Sequence, residues 1–245
     1  MRLLLLGGTG EARALAARLH PRVELVSSLA GRVPDPALPV GPVRIGGFGG
    51  VDGLRNWLRD NDITAVVDAT HPFATTITGN AAAACAELGL PHLVLNRPPW
   101  DAGGAIEVNS DAEAADIVAA RGYPRVFLTN GRSGVGAFRD SHAWFLIRVV
   151  TPPDPATLPR AHHLLLTRGP YRYDGECALM VDYGIGAVVT KNSGGVMTRA
   201  KLDAASALGV DVVMIRRPAL PPGADVAESV DAAESWVLSR GNAAG

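Results

Sequence analysis

Arg2-Leu3-Leu4-Leu5-Leu6-Gly7-Gly8-Thr9-Gly10-Glu11-Ala12-Arg13-Ala14-Leu15-Ala16-Ala17-Arg18-Leu19 opens the chain, and the order of its three parts sets the architecture. A short apolar run reads as a strand, the glycines as a tight turn, and residues 11–19 as a helix with apolar positions at helical spacing. A strand, a small-residue turn and a helix in that order suit a pyrophosphate. The backbone can approach the anion, while free N–H groups and the helix dipole stabilise its charge. The match to GxGxxG is incomplete, because Arg13 stands at the third glycine position. A tight strand–helix turn without a ligand has the same appearance. Gly8, Thr9, Gly10 and Glu11 are the candidate contacts.

The same alternation continues outward from this unit. Strands are expected at 23–27, 43–45, 65–68 and 92–95, with helices at 52–59 and from Pro72 to residue 88. Pro72 suits a first helical turn, where its missing N–H is not needed. Pro98-Pro99, followed by 101–104, breaks the pattern and marks a domain boundary. Beyond it, strands are expected at 125–128, 144–150, 163–166, 187–189 and 212–215, and helices at 110–120, 198–208 and 230–238. Ser110 and Glu113 have capping-box spacing. The fold class is therefore α/β, with a mainly parallel sheet flanked by helices in each half and ligands outside the carboxyl ends of the strands. Residues 1–100 form the expected nucleotide-binding domain and 101–245 the expected substrate domain.

Composition narrows the function classes. A hydrophobic content of 47% permits a substantial core, and a net charge of -1 gives no general attraction to nucleic acid or an anionic membrane. Cys85 and Cys177 lie far apart with no CxxC or Cys/His cluster, so neither a metal site nor a disulfide framework is expected, and a reducing cytoplasm fits. The only apolar run near the start, residues 3–6, is too short for a signal-peptide core or a membrane span.

The end of the second strand bears on cofactor choice. NAD-specific folds place an acid there for the ribose 2′-hydroxyl, whereas this chain has Ser27-Ser28 and then Gly31-Arg32, with no carboxylate before Asp35. Ser28 and Arg32 can take a 2′-phosphate that a carboxylate would repel, which favours NADPH; a solvated loop arginine is the plainer reading. Gly47 and Phe48 follow the third strand, where an adenine edge lies in such folds, although Phe48 also suits the core. Asp68, Ala69, Thr70, His71 and Pro72 follow the fourth strand, toward the nicotinamide, and His71 equally suits a helix cap.

The second half has two further strand-end loops, Gly131-Arg132-Ser133-Gly134 and Asn192-Ser193-Gly194-Gly195, whose small and polar residues can form anion nests. From residue 160 to 201 there are six Lys or Arg against three acids, Asp174, Glu176 and Asp182. This points to a polyanionic ligand, with scattered surface charge as the alternative.

Three segments together resemble the precorrin-6A reductase family: 3–16 with Gly7 to Ala12, 66–74 with Asp68 to Phe73, and 190–205 with Thr190-Lys191-Asn192-Ser193-Gly194-Gly195 and Thr198 to Ala205. Residues 28–32 and 213–218 are also similar, so the likeness spans about 3–218. The resemblance implies two Rossmann-like domains with the active site in the cleft between them, and NADPH-dependent reduction of the C18–C19 double bond of the tetrapyrrole polycarboxylate precorrin-6A, giving precorrin-6B on the route to cobalamin. It does not separate this substrate from the cobalt-containing one. The residues expected to meet it are Arg97, Gly131, Arg132, Ser133, Arg168, Asn192, Ser193, Gly194 and Thr198. The added proton needs an acid, and Lys201, then Lys191, are the candidates, either of which could instead clamp a carboxylate. Lys201 is expected to face out of a first helical turn, with its pKa lowered by the helix dipole and Arg199. A short-chain dehydrogenase is set aside, because Tyr123, Tyr171, Tyr173 and Tyr183 all lack a lysine four residues on. A non-catalytic NADP sensor needs only the first half and leaves the lysine loop unexplained. Oligomeric state is not readable.

Overall fold

The computed structural model describes residues 1–31 and 36–242. In chain order the elements are β1 (Arg2–Leu6), α1 (Gly10–Leu19), β2 (Glu24–Leu29), β3 (Val43–Ile45), α2 (Gly50–Asp60), β4 (Ala65–Asp68), α3 (Thr75–Leu88) and β5 (His92–Leu95). Then come β6 (Ile106–Val108), α4 (Asp111–Arg121), β7 (Arg125–Leu128), β8 (Trp144–Val149), β9 (His162–Leu166), α5 (Tyr173–Asp182) and β10 (Ala187–Lys191). The last are α6 (Ala200–Leu208), β11 (Asp211–Ile215), β12 (Asp225–Ala227) and α7 (Val230–Asn242).

The strands form two six-stranded sheets, ordered β12-β5-β4-β1-β2-β3 and β6-β11-β10-β7-β8-β9. Every strand pair in both is parallel. Leu3 and Leu5 of β1 pack with α1 and α7 residues such as Leu15, Leu19, Ala233 and Val237. Leu4 and Leu6 pack on the other side with Leu54, Leu58, Ala81 and Ala84 of α2 and α3. Both faces of β1 are therefore covered, which is why the strand is an unbroken leucine run rather than an alternating one. In the second sheet Phe127, Leu146 and Val188 pack against Met180 of α5 and Ala204 and Ala205 of α6.

The chain divides into Met1–Pro98 with Pro218–Gly245, and Pro99–Arg217. This differs from two consecutive segments meeting at residue 100. Residues 218–245 belong with the first unit because β12 adds to β5 in register, Asp225 opposite Leu93 and Ala227 opposite Leu95. Arg18 of α1 and Arg22 just beyond its end also form ion pairs with Asp231 and Glu234 of α7. Three elements escaped the periodicity reading. β6 and β12 are only three residues long, and α5, with charged and apolar residues intermixed, has almost no apolar stripe.

Each strand order contains one place where neighbouring strands lead their connections in opposite directions. In the first unit it lies between β1 and β4, and in the second between β7 and β10. Open parallel sheets bind ligands outside the carboxyl ends of their strands at such switch points. The loops there are 7–9 and 69–74 in one unit, and 129–131 and 192–199 in the other.

Candidate active site

In the first unit Thr9 joins the two switch-point loops. Its hydroxyl donates to the Ala69 carbonyl at 2.7 Å and accepts from the Ala12 N–H at 3.1 Å, capping α1. Gly8 has φ +112°, and a Cβ there would meet nothing within 4 Å, so the turn keeps an open face for an anion. Glu11 follows at the N-terminus of α1, where its charge suits the dipole but would repel a phosphate. The Arg97 guanidinium, donating to its carboxylate at 2.7 Å, offsets that charge. The structure thus places Arg97 in the first unit beside a cofactor candidate, and not among the second-unit loops expected to meet substrate.

Asp68, 1% exposed, accepts at one oxygen from the Thr70 N–H and hydroxyl, at 2.9 and 2.6 Å. Its Oδ2 is a buried acceptor without a donor among the described residues, the kind of group that a ligand hydroxyl or water satisfies. These bonds, together with Ala74 N–H to the His71 carbonyl at 2.7 Å, hold 70–74 as turns. For that reason α3 starts at Thr75 and Pro72 lies before it, not in its first turn. His71 is exposed, and its Nδ1 accepts from the Phe73 N–H at 3.2 Å. Ser28 is buried at the carboxyl end of β2, whereas Arg32 falls outside the described residues. Phe48 packs partly buried beside Trp57, with Gly47 exposed next to it.

In the second unit Trp100 organises the loop after β10. Its backbone N–H donates to Asn192 Oδ1 at 2.8 Å, its carbonyl accepts from Asn192 Nδ2 at 3.0 Å, and its indole N–H donates to the Gly195 carbonyl at 2.7 Å. The Asn192 amide is thereby committed to Trp100, so the side chain shapes the loop. The N–H groups of Asn192 and Ser193 bond to Ile215 and Lys191 carbonyls. Nest geometry is left to Gly194 and Gly195, at φ 66° and 77°.

Lys201 departs from its expected position. It lies in the first turn of α6, which starts at Ala200, and is 4% exposed, not outward-facing. Nζ donates to the Thr198 carbonyl at 2.7 Å and sits 4.6 Å from the Trp100 ring centroid, a cation–π contact. Its pKa falls from 10.5 to about 7, first through burial and then through the Arg148 charge, with Glu176 opposing. Arg199, the expected cause, pairs instead with Asp203 at 3.2 Å. Arg148 and Glu176 form a buried two-bond pair, 2.5 and 2.9 Å, and the guanidinium stacks 3.6 Å from the Tyr171 ring centroid.

Lys191 lies 3.7 Å from Asp111, which also accepts from Asn130 Nδ2 at 2.7 Å. Gly134 is required here, because a Cβ would come within 2.4 Å of both Asn130 and Asp111. Gly131, Arg132 and Ser133 are exposed at the head of a 3₁₀ segment, Arg132–Phe138, with Arg132 Nη1 3.3 Å from the Thr151 hydroxyl. Arg168 is exposed after β9. Arg217 donates to the Asn192 carbonyl at 2.7 Å and, with Arg216, Trp100 and Glu107, lines an open hollow of about 390 Å³. Sequence reasoning missed Arg148, Glu176, Asp111 and Trp100. For Arg148 the available signal was a lone arginine inside an apolar strand, Trp144–Val149. Among the described residues no helix is long and apolar enough to cross a membrane.

Known proteins share this arrangement. A family model described as precorrin-6x reductase CbiJ/CobK matches residues 2–238. A precorrin-6A reductase of Mycobacterium tuberculosis (strain CDC 1551 / Oshkosh) is 69% identical over 236 residues, covering 96% of this chain and 97% of that protein. A cobalt-precorrin-6A reductase of Methanothermobacter thermautotrophicus is 31% identical over 233 residues, covering 89% and 77%. A solved structure titled CobK precorrin-6A reductase superposes with a TM-score of 0.90 at 39% identity, covering 98% of this chain and 97% of that one. With two parallel sheets, glycine and lysine loops at their switch points, and similarity over nearly its whole length, the chain belongs to the precorrin-6x reductase CbiJ/CobK family.

Proposed function

We propose that this protein reduces the C18–C19 double bond of precorrin-6A with NADPH, giving precorrin-6B in cobalamin biosynthesis. The observation that carries the reading is a second switch point, beyond the one a nucleotide needs, whose following segments carry Arg132, Lys191 and Lys201, with Arg217 bonded to the Asn192 carbonyl beside them. A polycarboxylate suits that charge. The 69% identity to a protein named precorrin-6A reductase, against 31% to one named for the cobalt substrate, favours the metal-free macrocycle.

A bound reduced nicotinamide supplies the hydride. The chain's task is to bind, orient and protonate. Gly8, Thr9 and Gly10 with the N-terminus of α1 receive the pyrophosphate, and Arg97 keeps Glu11 from repelling it. Asp68 Oδ2 and the 69–72 turn take hydroxyl groups nearer the nicotinamide. Ser28 and Arg32, with no acid at the end of β2, favour NADPH over NADH. Lys201, with a pKa of about 7, is partly protonated at neutral pH, and a pKa near the working pH favours proton donation. Its ammonium gives a proton to the carbon next to the one receiving hydride, and solvent returns it. Lys191 is the alternative donor, while Arg168, Arg132, Ser133, Gly194 and Thr198 border the carboxylate-binding side.

The test is anaerobic incubation with precorrin-6A and NADPH carrying deuterium at the transferable position. One deuterium should enter the product, with solvent supplying the other hydrogen. Nucleotide binding without turnover would favour the NADP-sensor reading, and turnover confined to the cobalt-containing substrate would move the protein to the anaerobic route.

A further inference from the structure

Parallel pairing of β2 with β3 sets Ser28 opposite Arg44, so a guanidinium stands beside the serine at the place where nucleotide folds read the adenosine ribose. Arg44 Nη1 donates to the Gly46 carbonyl at 2.6 Å and lies 3.4 Å from the Ser28 hydroxyl, while Nη2 donates to the Gly47 carbonyl at 2.6 Å. The group stacks 3.8 Å from the centroid of Phe48, which is backed edge-on by Trp57. Phe48 is held by α2: a Cβ on Gly53 would come within 1.8 Å of the Phe48 carbonyl, so only glycine permits this approach. Arg44 is thus fixed from three sides.

What it lacks, among the described residues, is an anion. Among the described residues no carboxylate pairs with Arg44. The acid at the start of α2, Asp52, is held by Arg55 at 2.8 Å. Burial lowers the Arg44 pKa, with no acid to raise it again. A half-buried, oriented cation without a counterion is unfavourable unless an anion completes it. A guanidinium has five N–H donors. Three are taken by Gly46, Gly47 and Ser28, which leaves the Nε–H and one Nη2–H, adjacent donors sufficient for a bidentate contact with a phosphate.

We propose that Arg44 is the residue that recognises the 2′-phosphate of the cofactor, with Ser28 as its neighbour. This rests on the NADPH reading above and assigns to β3 a selectivity that the sequence alone placed at Ser28 and Arg32.

The experiment is calorimetric binding of adenosine 2′,5′-bisphosphate and of AMP, which needs no turnover. The unaltered protein should prefer the bisphosphate, and Arg44→Leu should reduce that preference by about 10- to 100-fold, as expected for a charge-assisted contact. AMP affinity should stay within about twofold, which also reports that the loop is still folded. Arg44→Lys keeps the charge and should retain part of the preference. Full preference in Arg44→Leu overturns the assignment and returns the selectivity to Ser28 and Arg32, whereas a lysine variant that loses as much as leucine shows that the two-pronged guanidinium contact, not charge alone, carries it. No preference in the unaltered protein overturns it together with the NADPH reading.

Discussion

Replacing Lys201 by Met tests the buried amine without reference to catalysis. Met has similar length and no charge, so the variant keeps most of the packing on Trp100. The fall of the Lys201 pKa from 10.5 to about 7, at about 1.4 kcal/mol per unit, makes the charged lysine cost the fold about 5 kcal/mol at low pH. The sign follows from proton counting. Between about pH 7 and pH 10.5 the unfolded chain binds the proton and the folded one does not, so stability rises with pH across this window. The cost is complete below the folded pKa and gone above the unfolded one. Integrating between about pH 6 and pH 9 gives roughly 3 kcal/mol. Losing the bond to the Thr198 carbonyl destabilises the variant by about 1–3 kcal/mol, but independently of pH. Urea unfolding of both proteins at the two pH values isolates the linkage, because every other titrating group cancels in the difference. The stability gap should move by about 3 kcal/mol in favour of the unaltered protein as pH rises. A gap that stays constant would mean the ammonium remains charged in the fold, which would refute the reasoning and remove the basis for Lys201 as an acid near neutrality.

Lys201→Met should also lose about 10²- to 10⁴-fold in kcat while binding NADPH nearly normally, measured by single-turnover absorbance; a raised KM with unchanged kcat would make Lys201 a carboxylate clamp. Glu176→Gln leaves the Arg148 guanidinium buried without its anion and should destabilise the protein by about 3–5 kcal/mol in denaturant unfolding. It also removes the one charge that raises the Lys201 pKa, so any pH–rate limb due to Lys201 should shift to lower pH. Asn192→Ala strips partners from both the N–H and the carbonyl of Trp100 and should cost about 2–4 kcal/mol of stability, whereas a pure substrate contact would change KM and leave the melting temperature alone.

The fold was legible where signals are local. The leucine run of β1, the glycine turn and the helix to Leu19 lie within one stretch, and Thr9 caps α1 through a bond three residues long. Strands β4, β5 and β7 coincide with apolar runs read directly. The helix after Asp68 was expected too early, because the Asp68–Thr70 turn competes with helix for the same backbone. Arg148 and Arg44 were passed over because a charge within a short apolar strand gives no indication of what it faces.

By itself the sequence determined that parallel sheets alternate with helices, that two strand-end loops suit a nucleotide and two more a polyanion, and that the chain resembles the precorrin-6A reductases. These depend on residue type and short spacing, which a chain carries unfolded. Only the tertiary structure decided which distant residues share a surrounding. It added β12 to the first sheet and so joined the C-terminal segment to the first unit, and set Arg97 on Glu11 across 86 positions. It joined Trp100 to Asn192 across 92 and buried Lys201 against that same Trp100. Burial and the Arg148 charge, not the neighbour in sequence, lower the Lys201 pKa. Desolvation and Coulomb forces depend on distance through the folded molecule, and sequence separation does not measure that distance.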